Sequence, residues 1–230
     1  MTATSLAPAL WEPPAAVRVR GALAVIAGAG EGVRVYERFG KRLSSDGYTV
    51  AVFETAQATD AATWLADAGV EPRVVVGSDL GAAAALRLAA ESPVDGVIVA
   101  GLPSPSGAAE DAGTPEARTA CPVHLGVLGE AGARATTPAP HIDLPGAEAL
   151  AALTSPVLAV HGGADPLTPL AAAREALAVV PTLEFVETVG GLHDALNDQS
   201  HRSVATTIVL WLERLRGAGV EAPIVREVAA

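Results

Sequence analysis

The chain has 230 residues, half of them hydrophobic, a size that supports one substantial core but not a second full domain. Its formal net charge of −11 argues against a nucleic-acid or anionic-membrane partner, because both require a basic surface. The single cysteine, Cys121, excludes an internal disulfide, residues 1–17 lack the features of a signal peptide, and no apolar run reaches the ~18 residues of a membrane span. These features predict a cytoplasmic location.

Short apolar runs alternate with segments of helical character along most of the chain. Strands are predicted at 22–26, 48–53, 74–76, 94–100, 156–160 and 183–186. Helices are predicted around Phe39 and at 60–68, 79–90, 169–179 and 202–215. Nearly continuous apolar strands separated by helices are typical of a parallel sheet that is covered on both faces. The pattern therefore predicts an α/β fold with about six parallel strands.

The interval from Gly101 to Ser155 breaks this alternation, because it is rich in Gly, Pro, Ser, Thr and Ala. Its one apolar piece, Pro122–Leu128, is ambiguous and has a further strand as its alternative interpretation. A long irregular insertion in a compact domain is usually a functional lid or a mobile loop. We therefore predict an α/β core at 18–102 and 155–216, a lid at 103–154 and a loosely held tail at 217–230.

The most informative motif is Gly77-Ser78-Asp79-Leu80-Gly81, which lies between a predicted strand and an alanine-rich helix. In a G-x-nucleophile-x-G elbow the turn is so tight that side chains at both outer positions would clash, and the central residue has strained backbone geometry. Counting inward from the two glycines makes Asp79 the central residue. The alternative interpretation is an ordinary strand–helix turn in which Asp79 is a helix N-cap.

Two later loops supply the partners that such an elbow needs. Asp165 follows a predicted strand in a loop that contains two prolines, and His193 follows the next strand after a pair of glycines. The order nucleophile, acid, histidine along the chain is the one that the α/β-hydrolase topology requires. The sequence therefore predicts Asp79, Asp165 and His193 as the catalytic residues.

With these motifs the chain resembles the monoglyceride lipase and lysophospholipase branch of the α/β hydrolases. The resemblance covers most of the chain and rests on 27–31 with Tyr36, 47–50, the elbow, the Asp165 loop and 193–197. It implies an α/β-hydrolase fold in which the backbone N–H groups of Ala29 and Leu80 form the oxyanion hole. It also implies that Gly101–Ser155 corresponds to the lid of that family.

The chain departs from the family pattern at four places. Ala27 and Ser78 stand where the family usually has histidine, and the loop after the second strand is shortened to 54–60. The largest departure is Asp79, which replaces the nucleophilic serine. The resemblance thus implies the fold and the His193–Asp165 pair, but not the serine-esterase mechanism.

An aspartate at the elbow suits a different displacement from the one that serine performs. Attack of a carboxylate on an ester would give a mixed anhydride, whereas attack on an sp³ carbon gives an alkyl ester on the enzyme. His193, oriented by Asp165, would then activate water to hydrolyse that ester. Asp79 in this respect resembles the nucleophile of haloalkane dehalogenases and epoxide hydrolases. We predict a hydrolase that acts on a small to medium, largely apolar molecule.

The accessory groups of those two enzyme classes are missing from the sequence. Leu80 stands where the dehalogenases place a halide-binding tryptophan beside the nucleophile, and both tyrosines, Tyr36 and Tyr48, lie outside the predicted lid. His124 and His141 are candidate substrate contacts within the lid. Because exposed histidines are common in loops, we expect surface positions for both.

This gap leaves two other functions open. Asp79 facing His193 could transfer protons in an addition, cyclisation or elimination, chemistry that occurs in secondary metabolism on repurposed hydrolase folds. A catalytically silent ligand-binding protein is the third hypothesis. The apparent His193–Asp165 pair argues against it, since a binding pocket has little need for an oriented base.

The sequence predicts no metal and no cofactor. His161 to Asp165 and His193-Asp194 lack the histidine spacing or the paired cysteines of a zinc site. The glycine-rich stretch 27–32 fails as a dinucleotide site because Val33 stands where the third glycine should be. A small-molecule substrate is the only partner that we predict, and the oligomeric state is left open.

Overall fold

The computed structural model describes residues 7–103, 114–217 and 219–226. In these ranges seven strands form one sheet in the order β1-β3-β2-β4-β5-β6-β7. They are β1 (Ala9–Trp11), β2 (Gly21–Ile26), β3 (Tyr48–Phe53), β4 (Arg73–Ser78), β5 (Gly96–Ala100), β6 (Val157–Gly162) and β7 (Leu183–Thr188). Strands β2 to β7 are parallel, which confirms the six predicted parallel strands. The sequence did not predict β1, a three-residue edge strand that pairs antiparallel with β3.

The described helices pack on both faces of this sheet. They are α1 (Glu37–Ser45), α2 (Ala58–Ala66), α3 (Leu80–Glu91), α4 (Pro115–Arg118), α5 (Pro122–Leu128), α6 (Ala147–Ala151), α7 (Leu170–Ala176) and α8 (His201–Arg216). Short 3₁₀ helices lie at Val33–Tyr36, Thr55–Gln57 and Ala131–Ala133. None of the described helices combines the length and the apolar character that crossing a membrane requires.

The apolar strands divide the core into two layers, one on each face of the sheet. One layer contains Leu65, Leu86 and Leu177. The other contains Tyr36 and Trp211. Since side chains alternate between the two faces of a strand, burial on both faces requires the continuous apolar runs that the sequence shows.

The segment between β5 and β6 differs from the irregular insertion that the sequence predicts. Its described part contains α4, α5 and α6, and Pro122–Leu128 is a helix instead of a further strand. Pro115 and Pro122 stand in the first turns of α4 and α5, where a missing backbone N–H has no cost and a fixed φ favours the helix. Residues 104–113 of the predicted lid, and 218 and 227–230 of the predicted tail, lie outside the described residues.

Parallel strands bring the loops at their carboxyl ends to one edge of the sheet. The loops after β2, β4, β6 and β7, here called the strand-edge loops, carry Ala29, Asp79, Asp165 and His193. In open α/β sheets this edge is the usual place for a ligand site. The fold therefore gathers the residues that the sequence predicts as catalytic.

Candidate active site

Asp79 lies in a strained turn between β4 and α3. Its φ of 52° and ψ of −124° place it in a region that side chains rarely adopt. A Cβ on Gly77 would lie 2.1 Å from the Gly81 carbonyl oxygen, and a Cβ on Gly81 would lie 2.1 Å from that of Ile26. Both glycines are therefore required by close backbone approach. The Asp79 side chain forms no capping hydrogen bond to α3, so the alternative of an ordinary N-cap is wrong.

Asp165 is held as an anion by the loop after β6. Its Oδ1 accepts hydrogen bonds from the N–H groups of Leu167 at 2.8 Å and Thr168 at 3.1 Å. Burial alone would raise the pKa of Asp165, but hydrogen bonds from His161 and His193 hold it well below the ordinary value. Its Oδ2 lies 2.8 Å from Nδ1 of His193. Asp165 therefore fixes the orientation of the His193 ring.

His161 supports Asp165 from the end of β6, the strand that precedes the Asp165 loop. Its Nε2 lies 2.8 Å from the Thr168 carbonyl oxygen and 3.1 Å from Oδ2 of Asp165, and its Nδ1 accepts the N–H of Leu102 at 3.3 Å. These partners assign the ring hydrogen to Nε2. From the sequence His161 was weighed only as a metal ligand, whereas in the structure it lies where it positions Asp165.

His193 bridges the two carboxylates. Its Nε2 lies 3.4 Å from Oδ1 of Asp79, on the side of the ring opposite Asp165. Burial disfavours the charged ring, but hydrogen bonds to Asp165 and Asp79 prevail and raise the pKa of His193 to about 9. At neutral pH His193 is therefore an imidazolium between two carboxylates.

The second oxygen of Asp79 occupies a different environment. Oδ2 accepts the N–H of Ala29 at 3.2 Å, and both terminal nitrogens of Arg118 lie 3.3 Å from it. Burial would raise the pKa of Asp79, but the His193 hydrogen bond and the charge of Arg118 lower it instead. Leu80, the other candidate oxyanion donor, is the first residue of α3 directly after Asp79, and its role stays a prediction.

Arg118 joins three of the site's carboxylates and was missed by the sequence analysis. Besides Asp79, its guanidinium contacts Oε1 of Glu31 at 3.0 Å and Oδ1 of Asp194 at 2.8 Å. These acids belong to three different strand-edge loops, and all of these side chains are buried. No local pattern around Arg118 marks it as functional, because only the fold brings α4 against these loops.

Glu31 is further tied to the loop after β2. Its Oε2 accepts the Tyr36 hydroxyl at 2.5 Å and the N–H of Gly28 at 3.2 Å. Burial raises the pKa of Glu31 although Arg118 opposes this effect. Glu31 is thus held by two hydrogen bonds and by Arg118, while burial disfavours its charged form.

The two candidate histidines of the predicted lid have different surroundings. His124 is only 2% exposed, and its Nε2 lies 2.9 Å from Oδ2 of Asp194, so the expected surface position is wrong. His124 lies inside because the buried Asp194 side chain needs a hydrogen-bond partner. The side chain of His141 is 70% exposed and pairs with Asp143. In the described structure neither histidine forms a hydrogen bond or ion pair with Asp79 or His193.

The glycine-rich stretch after β2 places backbone beside Asp79. A Cβ on Gly28 would lie 3.2 Å from Cβ of Asp79 and still closer to Glu31, so this position has no room for a side chain. The stretch thereby presents the Ala29 N–H to Oδ2. In the ranges that the structure describes, no group of three or more His, Cys, Asp or Glu side chains is arranged to hold a metal ion.

The chain has no match to a protein-family model or to the sequence of a curated protein. Its structure is similar to that of a monoacylglycerol lipase from Paleococcus ferrophilus, with a TM-score of 0.74 and 16% identity. That similarity covers 89% of this chain and 97% of the lipase.

Two further solved structures have the same architecture. A soluble variant of monoglyceride lipase from Saccharomyces cerevisiae has a TM-score of 0.73 and 15% identity, covering 90% of this chain and 91% of that chain. A carboxyl esterase from Bacillus coagulans has a TM-score of 0.72 and 15% identity, covering 90% of this chain and 93% of that chain. At such identities the similarity establishes the fold alone. The chain has the α/β-hydrolase fold.

Proposed function

We propose that the chain is a hydrolase that attacks an sp³ carbon of a small to medium, largely apolar molecule through Asp79. The observation that carries this proposal is that the two oxygens of Asp79 have different partners. Oδ1 faces His193, whereas Oδ2 is held by the Ala29 N–H and by Arg118. A carboxylate held in this way presents one oxygen for attack and keeps the other in an oxyanion site.

In the first step Oδ1 attacks the substrate carbon. A bond forms between Oδ1 and carbon, and the leaving group departs with the electron pair of its bond. Asp79 becomes a neutral alkyl ester, and one of the contacts that raise the pKa of His193 is thereby lost. His193 then gives its proton to the leaving-group oxygen of an epoxide, or to solvent when the leaving group is a halide, and the neutral ring becomes a base.

In the second step His193 takes a proton from water, and the hydroxide adds to Cγ of Asp79. Negative charge develops on Oδ2, where the Ala29 N–H already points. The intermediate collapses as the bond between Cγ and Oδ1 breaks, and the product alcohol leaves with the proton of His193. One oxygen of water remains in Asp79, and the original Oδ1 leaves in the product.

The structural relatives support the general class of reaction. The lipases and the esterase that share this fold are hydrolases by name. Acyl-ester hydrolysis through Asp79 is disfavoured, because carboxylate attack on an ester gives a high-energy anhydride.

We also propose the division into a core at 18–102 and 155–216 and a lid at 103–154, with His141 as a candidate lid contact.

A second function is favoured by the protonation state of the resting site. An imidazolium at His193 facing an anionic Asp79 is a proton donor paired with a proton acceptor. Such a pair could catalyse an addition, cyclisation or elimination without a covalent intermediate. The two functions differ in whether carbon becomes bonded to Asp79.

The test is a mass-spectrometric trap of the alkyl ester. His193→Gln is incubated with 1,2-epoxyhexane or 1-bromohexane, and intact mass followed by peptide mapping locates any adduct. We expect one adduct on Asp79, a hydroxyhexyl ester from the epoxide or a hexyl ester from the bromide, which persists because the variant lacks its base. Asp79→Asn should remain unmodified, and Asp67→Asn, an exposed aspartate at the end of α2, in the His193→Gln background should behave like His193→Gln.

The outcomes separate the hypotheses. An adduct on Asp79 in His193→Gln, together with turnover of the probe by the wild type, supports the covalent mechanism. Absence of any adduct with both probes overturns it and favours the acid–base function. Absence of both an adduct and any deuterium exchange at acidic carbons of added ketones would instead indicate a binding protein.

A further inference from the structure

Arg118 lies beside Asp79 although the two residues are far apart in the sequence. It is the last residue of α4, yet its side chain is buried beside Asp79 and contacts the loops after β2, β4 and β7. A guanidinium buried among carboxylates is expensive to desolvate and needs close partners. Its contacts of 2.8 to 3.3 Å supply these partners.

The placement of Arg118 is fixed by the loop that carries His193. The Arg118 carbonyl accepts the N–H of Asp194 at 2.9 Å, while its guanidinium holds the Asp194 carboxylate. Directly after Arg118, the Thr119 hydroxyl and the Ala120 N–H each donate to Asp198 at 2.8 Å. Asp198 also accepts the N–H of Leu192 at 2.9 Å. The segment 114–128 is thus bonded to Asp194 and Asp198, and Asp198 extends this network to Leu192 on the other side of His193.

We propose that Arg118 is a catalytic residue that completes the oxyanion site on Oδ2 of Asp79. This inference rests on the proposed function, since it concerns the hydrolysis of the Asp79 ester. Both terminal nitrogens of Arg118 and the Ala29 N–H lie within 3.3 Å of Oδ2, the atom on which charge develops when hydroxide adds to Cγ. A cation at that atom stabilises the transition state more than the neutral ester that precedes it.

The same contact has the opposite effect on the first step. In the resting site Arg118 stabilises the Asp79 carboxylate, and that stabilisation is lost when the carboxylate becomes a neutral ester. Arg118 therefore slows ester formation while it accelerates ester hydrolysis. A residue with only a structural role would slow both steps together, so the two half-reactions can be used to identify its function.

Glu31 and Asp194 act as positioning residues for Arg118. Glu31 contacts Nη2 through Oε1, and its other oxygen is bonded to the Tyr36 hydroxyl. Asp194 contacts the guanidinium at Nη2 and Nε. These contacts leave Nη1 and the edge of Nη2 directed at Asp79.

The test compares ester formation and ester hydrolysis with 1,2-epoxyhexane as the probe. In Arg118→Gln we expect ester hydrolysis to slow by about 10²–10³-fold, the usual cost of one oxyanion donor, so that the adduct accumulates where the wild type shows none. In Arg118→Gln with His193→Gln, adduct formation should be at least as fast as in His193→Gln alone. Arg118→Lys keeps the charge with a single donor atom and should hydrolyse the ester at an intermediate rate.

Arg202→Gln is the matched control, because Arg202 is an exposed arginine on α8. It should leave both half-reactions unchanged. If Arg118→Gln shows wild-type hydrolysis without accumulation, or slows both steps equally, the role of Arg118 is overturned while the function of Asp79 stands. If His193→Gln itself forms no adduct, the proposed function fails and the inference fails with it. If Arg118→Gln does not fold, the rates of Arg118→Lys decide between these outcomes.

Discussion

The strand-edge loops and the segment 114–128 meet at one carboxylate but are built in different ways. The loops after β4, β6 and β7 position Asp79, Asp165 and His193 through tight turns and short-range hydrogen bonds within each loop. The segment 114–128 holds Arg118 and His124 chiefly through residues distant in sequence, Asp194 and Asp198, by buried side-chain contacts and one backbone hydrogen bond. The first region depends on local backbone geometry, whereas the second depends on buried charge. Substitutions should therefore affect the two regions differently.

The largest expected change in stability follows from removing the charge of Arg118. Arg118→Leu leaves Glu31, Asp79 and Asp194 buried without their common cation. We expect the free energy of unfolding at pH 7 to fall by about 3–5 kcal/mol. Urea denaturation measures this value, and part of the loss should disappear at lower pH as Glu31, whose pKa is raised by burial, becomes protonated. Arg202→Leu on the exposed face of α8 should change stability by less than about 0.5 kcal/mol.

The elbow provides the corresponding test of backbone geometry. Gly77→Ala would place a Cβ 2.1 Å from the Gly81 carbonyl oxygen, a clash with backbone that no side-chain rotation relieves. We expect a loss of about 3 kcal/mol or more in thermal or urea unfolding.

Gly126→Ala in α5 is the control for that substitution. A Cβ on Gly126 would have no atom within 4 Å, and alanine favours a helix interior. This variant should be neutral or more stable by about 0.5–1 kcal/mol. Equal destabilisation by both substitutions would contradict the account of the elbow.

The charge of His193 makes stability depend on pH in a defined window. Its pKa is raised from 6.5 to about 9, so the stabilisation from the imidazolium is fully present below about pH 6.5. It is lost as the pH rises through about 9. We expect the free energy of unfolding to fall by roughly 2–3 kcal/mol across that window.

Urea denaturation of His193→Gln between pH 6.5 and 9 checks this expectation. The variant should show a much flatter dependence than the wild type. His201→Gln is the control, because the pKa of His201 is lowered by burial and by Arg38 and Arg202 and so titrates below the window. A slope that persists in His193→Gln would show that another group is responsible.

The smallest expected effect separates the two histidines of the predicted lid. His124→Ala removes a partner of the buried Asp194 and should lower stability by about 1–3 kcal/mol. His141→Ala removes an exposed pair with Asp143 and should change stability by less than about 0.5 kcal/mol. Thermal unfolding of both variants is sufficient. Similar stability changes in the two variants would contradict the assignment of His124 as a buried partner of Asp194 and His141 as an exposed residue.

These contrasts explain how much of the site could be predicted from the sequence. Asp79 was found because two glycines at fixed spacing mark a turn that only glycine permits. Asp165 and His193 were found because the topology orders them along the chain. Arg118 was missed because its partners Asp79, Asp194 and Glu31 lie 39 to 87 positions away, and no local motif records such distant contacts.

In the fold, too, the features that leave a pattern in the sequence were predicted and the others were not. The six parallel strands were predicted from continuous apolar runs, because burial on both faces of the sheet leaves that pattern in the sequence. The edge strand Ala9–Trp11 is too short to show a period. The helix Pro122–Leu128 was ambiguous because a run of only seven residues, six of them apolar or small, suits either a strand or a helix.

The central claim is that Asp79 carries the substrate carbon, and oxygen transfer from water tests it most directly. Excess wild-type enzyme is allowed one turnover of 1,2-epoxyhexane in H₂¹⁸O, and both the Asp79 peptide and the diol are analysed by mass spectrometry. The account predicts ¹⁸O in Asp79 and none in the diol of the first turnover. Label in the diol with an unlabelled Asp79 would contradict it, because water would then have attacked the substrate without a covalent intermediate.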